Sequence, residues 1–100
     1  MNKILLVDNT LISVWIYPER KMIHHIMKGY CFGDDFREAL TKGLEAMKLY
    51  KATKWLSDDR VNGALPPEDL AWSSQVWFHQ TMAAGWKHWA VVQGPHSVAP

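Results

Sequence analysis

The sequence predicts an α/β protein with a mixed β-sheet, in which an antiparallel hairpin comes first and βα units follow. Short runs of apolar, β-branched and aromatic residues mark the strands, and two stretches with helical periodicity lie between the later ones. The order is strand, strand, strand, helix, strand, helix, strand. No internal repeat or low-complexity segment divides the 100 residues, so we predict a single domain over residues 1–100.

The first three strands come from the amino-terminal quarter of the chain. Ile4 to Val7 is a short apolar run that stops at the turn pair Asp8-Asn9. Leu11 to Tyr17 is rich in β-branched and aromatic residues, and Met22 to Met27 returns after a turn at Pro18 to Lys21. The last two runs predict an antiparallel hairpin.

The first helix is predicted from about Asp35 to Tyr50. Asp35 and Glu38 have the spacing of a capping box, in which each side chain satisfies a free backbone amide at the helix start. Five residues recur at helical spacing and predict a face that packs on the sheet: Phe36, Leu40, Gly43, Leu44 and Met47.

The stretch from residue 53 to residue 70 predicts a strand, a polar loop and the start of a helix. Residues 53–56 suit a packed strand, and Ser57-Asp58-Asp59 should end it because short polar side chains offer the backbone competing hydrogen bonds. Asn62-Gly63 tolerates positive φ and predicts a tight reversal. Pro67 suits a first helical position. In α/β folds, ligands often bind at such a loop.

The second helix is predicted from Pro67 to about Ala84, and its apolar residues cover more than one face. They are Leu70, Trp72, Val76, Trp77, Phe78 and Met82. A helix that is apolar on two sides is packed on two sides, so a partner subunit or another part of the chain should cover the second face. A last strand is predicted from Trp86 to Val92, and residues 93–100 are predicted to be an irregular tail.

Composition narrows the function classes and the compartment. The formal net charge is +1 and the Lys and Arg residues are scattered, which argues against a nucleic-acid surface. Cys31 is the single cysteine, so no internal disulfide can form, as suits a reducing cytoplasm. No apolar run reaches the length of a membrane span. We therefore predict a soluble cytoplasmic protein without a membrane span.

The six tryptophans are the unusual feature of the composition, and four of them lie in the last third of the chain. Tryptophan is enriched at binding hot spots, but it also fills small cores. No cofactor or metal is predicted, because the histidines and the single cysteine have no ligand spacing. His24 and His25 should point to opposite faces of a strand.

Four segments together resemble a group of small bacterial proteins described as STAS-like or SpoIIAA-like, which are related in fold to anti-sigma factor antagonists. The segments read FGDDFREAL (32–40), KWLSDDR (54–60), LPPED (65–69) and AGWKHWA (84–90). The resemblance covers most of residues 11–92. It implies a sheet with helices on one face and a role in protein interaction or in binding a small apolar ligand. In the antagonists a serine of the strand-to-helix loop is phosphorylated; Ser57 lies in a comparable loop, without their Asp-x-Ser-Gly context.

Two hypotheses about the function remain open, and a third is weaker. The first is a protein-interaction or regulatory module that acts as a homodimer, and the second is a small apolar-ligand binder with an aromatic pocket. The third is an enzyme that uses Asp58 or Asp59 as a base, although no catalytic residue is assigned. The candidate ligand- or partner-binding residues are Trp55, Ser57, Asp58, Asp59, Arg60, Asn62, Trp72, Trp77, Phe78 and His79.

Overall fold

A computed structural model describes residues 2–61 and 65–93, and it has one five-stranded sheet with the order β1-β2-β3-β4-β5. The first two pairings are antiparallel and the last two are parallel. The elements are β1 (Ile4–Asp8), β2 (Ile12–Tyr17), β3 (Met22–Met27), α1 (Gly33–Tyr50), β4 (Lys54–Asp59), α2 (Pro67–Trp72), a π-helical segment (Ser73–Trp77), α3 (Phe78–Ala83) and β5 (His88–Gln93). The predicted α/β class, mixed sheet and element order are confirmed.

The predicted hairpin is present with the predicted turn. The strands β2 and β3 pair in unbroken register from Ile12 with Met27 to Tyr17 with Met22. A 3-10 turn at Pro18–Arg20 joins them, and Lys21 closes it in the left-handed conformation with φ 54°. The backbone amide of Lys21 donates to the carbonyl oxygen of Pro18 over 3.2 Å.

Both helical layers lie on the same face of the sheet, and Trp55 of β4 is the residue that touches both. A Cβ atom at Gly43 of α1 would lie 2.3 Å from the far edge of the Trp55 indole, so the two elements can approach only because residue 43 is glycine. The Trp77 ring meets Trp55 edge to face at 4.9 Å. The crossovers from β3 to β4 and from β4 to β5 advance in the same direction across the sheet, and two connections of the usual right hand then place both helices on one face.

The core lies between that face of the sheet and the helices. Ile12, Val14 and Ile16 of β2 are fully buried, as is Ile23 of β3. The helix α1 buries the face that its periodicity predicted, with Phe36, Ala39, Leu40, Gly43, Leu44, Ala46 and Met47. Burial of this apolar area is the main favourable contribution to folding.

The predicted end of the fourth strand is wrong, because β4 continues through Ser57, Asp58 and Asp59. Ser57 and Asp58 pair with β3 on one side, and all three residues pair with β5 on the other. The Asp58 carboxylate does accept the local backbone amide of Arg60 over 3.3 Å, together with the Arg60 side chain, but this bond lies beyond the paired residues, and the Asp59 carboxylate binds the distant His25. Pairing on both sides overrides the low strand propensity of these residues.

The predicted capping box of the first helix is also wrong. The helix begins at Gly33, and its N-cap residue Phe32 makes no side-chain cap. Asp69 of α2 supplies the acceptor instead, since its carboxylate receives the amide of Gly33 over 2.7 Å and the Nε–H of Arg37 over 3.1 Å. Asp69 is only 2% exposed. The amino terminus of the first helix is therefore closed by the second.

The second helix, as we call α2, the π-helical segment and α3 together, runs without interruption from Pro67 to Ala83, close to its predicted bounds. The last strand begins at His88 rather than Trp86, because the Trp86 ring packs against Trp77 before the chain enters the sheet. Gln93 is the last residue of β5. The predicted reversal at Asn62-Gly63 and the rest of the predicted tail, residues 94–100, lie outside the described residues.

None of the helices in the described ranges, 2–61 and 65–93, combines the length and the apolar character that crossing a membrane requires.

Replacement of Asp69 by Ala should lower the free energy of unfolding by about 2–4 kcal/mol, because it removes the helix cap and the partner of Arg37 at a buried position. The matched control is Glu68→Ala, which removes an exposed carboxylate from the same turn and should change stability by no more than about 0.5 kcal/mol. Urea unfolding followed by circular dichroism measures both. Equal effects of the two substitutions would contradict the capping role of Asp69.

Candidate functional site

Four of the six tryptophans form a continuous series of ring contacts from the core to the edge strand. Trp55 meets Trp77 at 4.9 Å, Trp77 meets Trp86 at 5.9 Å and Trp86 meets Trp89 at 5.3 Å. Each of these indoles also donates its N–H, to His25, the Leu40 carbonyl, the His88 carbonyl and Ser57 in turn. The series is thus a packed and hydrogen-bonded part of the fold.

His25 joins two of the predicted candidate residues, Trp55 and Asp59. The indole Nε1–H of Trp55 donates to His25 Nδ1 over 2.9 Å. The other ring nitrogen, Nε2, therefore carries the hydrogen and donates it to Asp59 Oδ1 over 2.7 Å. Both nitrogens of this buried ring are occupied, so His25 has no nitrogen left to act as a base toward Ser57, its neighbour across the strands.

Ser57 is buried in β4, on the face of the sheet that the helices cover. It is 2% exposed, and its hydroxyl oxygen accepts the indole N–H of Trp89 over 2.8 Å. A hydroxyl in this position has neither a base beside it nor access for a modifying enzyme in the folded chain. The geometry of Ser57 is that of a hydrogen-bonded core residue.

Asp58 and Asp59 lie on opposite faces of β4, so the structure does not bring Asp58, Asp59 and Arg60 together as one group. The Arg60 guanidinium donates two hydrogen bonds to Asp58 and none to Asp59, with Nε 2.9 Å from Oδ1 and Nη2 2.8 Å from Oδ2. The Arg60 side chain, through its hydrogen bonds, holds the pKa of Asp58 below its ordinary value. A carboxylate held in this way is a poor general base.

The remaining candidates are spread along the second helix. Trp72 packs edge to face on Phe36 and lies under the guanidinium of Arg37. Phe78 contacts Trp86, and His79 is exposed beside the Phe78 ring. Asn62 lies outside the described residues.

These aromatic residues do not meet in either of two open grooves on the surface of the described chain. Trp55 and Trp77 are 1% and 6% exposed and fill the core against each other. One open groove lies between α1 and α3, beside Leu44 and Gln80, and another lies at the amino ends of the parallel strands, where it reaches the edge of Trp55. Neither groove includes Trp72, Trp77 or Phe78.

The predicted opposition of His24 and His25 is observed, with His25 under the helices and His24 on the other side of the sheet. Across residues 2–61 and 65–93, no group of three or more His, Cys, Asp or Glu side chains is arranged so that it could hold a metal ion.

Sequence reasoning missed the second face of the sheet, which no helix among residues 2–61 and 65–93 covers and which we call the open face. Strand register places one residue from each strand in a row across its middle, the central row: Leu5, Trp15, His24, Leu56 and Ala90. The signal was present in β2, where Ile12, Val14 and Ile16 alternate with Ser13 and then with the outward-facing aromatic residues Trp15 and Tyr17. Alternation of apolar with aromatic residues, instead of apolar with polar, indicates a strand whose two faces are both apolar.

Cys31 is fully buried below the start of α1. Burial, assisted by the nearby Asp35 and Asp69 carboxylates, raises the pKa of the Cys31 thiol to about 11. The side chain is therefore a neutral thiol at pH 7, and it has the properties of a small apolar core residue.

Comparison with known proteins finds no protein family, no curated protein and no solved structure that matches this chain. Functional reasoning therefore starts from the residues and surfaces of the chain itself.

The raised pKa of Cys31 predicts a loss of stability at alkaline pH. The thiol has its ordinary pKa of 9.0 in the unfolded chain and a pKa of about 11 in the folded chain. Burial of the neutral thiol therefore contributes its full stability below pH 9, and this stability is lost as the pH rises to 11. The expected loss is up to about 3 kcal/mol. The measurement is urea unfolding at pH 8 and pH 11 for the wild type and for Cys31→Ala. The difference between the two proteins removes the effect of the other groups that titrate in this range. If the free energy of unfolding fell equally between pH 8 and pH 11 in both proteins, the raised pKa of Cys31 would be contradicted.

The hydrogen bonds of His25 predict that replacing it destabilises the fold much more than replacing its neighbour His24. His25→Leu leaves the buried indole N–H of Trp55 without its acceptor and should lower the free energy of unfolding by about 2–3 kcal/mol. His24→Leu makes the same chemical change on the open face and should cost less than about 0.5 kcal/mol. Chemical denaturation of both variants at pH 7 tests this. A cost for His24→Leu as large as that for His25→Leu would be evidence against the role of the Trp55 bond.

Proposed function

We propose that the protein is a protein-interaction module that works as a homodimer in the bacterial cytoplasm. The proposal is carried by one observation: large apolar side chains lie outside the core on both layers of the fold. Exposed apolar groups in such numbers are typical of surfaces that another protein covers.

The second helix supplies the clearest example. Its inner side is buried through Asp69, Trp77 and Thr81. Among its outward residues, Leu70 is 57% exposed and Met82 is 52% exposed, and Val76 and Phe78 are also exposed. No other part of the described chain covers them, so the second face that the sequence predicted to be packed is left for a partner.

The resemblance to SpoIIAA-like proteins supports an interaction role. The segments KWLSDDR and LPPED end the fourth strand and begin the second helix, and both helices lie on one face, as that resemblance implies. The SpoIIAA-like assignment is part of the proposal, as are the bacterial origin and the cytoplasmic location that agrees with a single thiol.

The two other hypotheses, a small-ligand binder and an enzyme, have less support. A small apolar-ligand binder needs a closed pocket with a few convergent polar groups, whereas Trp55 and Trp77 occupy the core in mutual contact. An enzyme with Asp58 or Asp59 as base needs a carboxylate in a cleft that a substrate can reach, and neither residue lines the two open grooves. The first of these carboxylates is bound by Arg60 and the second by His25.

Native mass spectrometry of the full chain, purified under gentle conditions, tests the homodimer directly. We expect the mass of two chains without additional mass at micromolar protein concentration, and dissociation to single chains on dilution. A single chain with a stoichiometric small-molecule adduct would overturn the proposal in favour of the ligand binder. A single chain without an adduct at every concentration would overturn the homodimer.

A further inference from the structure

We propose that two copies of the chain join through their edge strands, with β5 of one copy antiparallel to β5 of the other. The two five-stranded sheets then form one continuous sheet across a two-fold axis. The inference rests on the proposed function and names the part of the chain through which the homodimer forms.

The backbone of β5 gives the first reason. In the described part of the chain, β5 is the last strand of the sheet and pairs with β4 alone. The amide of His88 donates to the carbonyl oxygen of Thr53, just before β4, over 3.0 Å. Because backbone groups alternate in direction along a strand, His88 and every second residue after it bond toward β4, whereas Trp89 and Val91 direct their N–H and C=O groups to the outer edge. Such a row of donors and acceptors is a template for another extended chain.

The contrast between the two edges of the sheet gives the second reason. Soluble proteins commonly protect an exposed edge with a β-bulge, a charged side chain or a proline. The other edge, β1, has a bulge between Leu5 and Val7 and ends at Asp8. The register of β5 with β4 is unbroken, and its sequence HWAVVQ contains no Asp, Glu, Lys, Arg or Pro. Pairing with another chain is therefore favoured at β5 and not at β1.

The side chains of β5 give the third reason. Trp89 is 54% exposed, Val92 is 41% exposed and Val91 is 37% exposed. On the helix side, Trp89 continues a row of aromatic rings through Trp86 to Phe78, with centroids 5.3 Å apart at each step. Apolar groups thus flank the edge on both faces of the strand, so that pairing would bury apolar side chains as well as form backbone hydrogen bonds.

Self-complementarity of β5 identifies the occupant as a second copy. A two-fold axis perpendicular to the sheet at Val91 places this residue opposite itself and places Ala90 opposite Val92 of the other copy. The outward backbone groups of Trp89 and Val91 then meet outward groups of the second strand, and each Trp89 ring lies diagonally beside the other Val91. No like charges meet along β5, because the strand has no Asp, Glu, Lys or Arg.

The protected edge at β1 explains why the assembly would close at two copies. Pairing of β5 with β1 of a further copy would be a head-to-tail contact, which grows into an open filament. The bulge and the charge at β1 disfavour that contact. A two-fold β5 pair uses the same edge on both copies and leaves the second helix available to a different protein.

Amide hydrogen exchange, followed by NMR on the full wild-type chain, tests the inference without a substitution. In a sample that sedimentation velocity shows to be dimeric, the outward amides of Trp89 and Val91 should exchange at least about tenfold more slowly than amides of an unstructured chain. Ala90 and Val92 are internal controls, because their amides bond to β4 in one copy as in two. Unprotected exchange at Trp89 and Val91 beside protected exchange at Ala90 and Val92 would overturn the edge pairing.

A matched pair of substitutions tests the same edge by affinity. Val91→Lys places two lysines opposite each other at the two-fold axis and should raise the dimer Kd by about 30-fold or more. Val76→Lys makes the same change at an exposed position of the second helix and should leave the Kd within about threefold of the wild type. Sedimentation velocity over a concentration series gives the Kd values, and circular dichroism with urea unfolding reports whether each variant is folded.

The outcomes separate this inference from the proposed function. Selective weakening of the dimer by Val91→Lys supports the edge pairing. Weakening by Val76→Lys alone, or a Val91→Lys variant that dimerises like the wild type, overturns the edge pairing and leaves the homodimer standing. A wild type that is monomeric throughout overturns the proposed function, and this inference with it. If Val91→Lys does not fold, the exchange measurement on the wild type decides the question.

Discussion

The packing of Trp55 between the two helical layers is the contact on which the rest of the structure depends. Its indole fits against Gly43 of α1, meets Trp77 of the second helix and donates its N–H to His25 of β3. One side chain therefore connects the sheet to both helices. Because both helices contact the same side of β4, they occupy one face of the sheet and leave the other face to solvent or to a partner.

This one-sided arrangement determines how the candidate residues divide between structure and function. Side chains on the helix face, such as Ser57 and Asp59, are engaged in hydrogen bonds that hold the core together. The side chains without cover lie on the outside of the second helix and on the open face. These two surfaces meet at the edge strand β5, which is where the association that we propose would take place. The two uncovered surfaces are on opposite sides of the molecule, so a dimer formed through the edge between them leaves both accessible.

The element order, the hairpin and the extent of the second helix could be predicted because they follow from local patterns, such as the β-branched run from Ile12 to Tyr17. Features that depend on distant residues could not. Asp69 caps a helix that begins 36 residues earlier, and Asp58 stays in a strand because strands on both sides hold it there. The candidate tryptophans were correctly identified as unusual, but their burial depends on how the helices cross the sheet. The open face could have been found from the alternation in β2.

Association of two copies in solution is the proposal from which most of the functional picture follows. Isotope-filtered NMR on dimers that combine a ¹³C-labelled chain with an unlabelled chain tests it without perturbing the interface, because it detects only contacts between copies. We predict intermolecular contacts at apolar side chains that the described chain leaves exposed, such as Trp89, Val91 and Val92. A concentrated sample that shows no intermolecular contacts would contradict the homodimer.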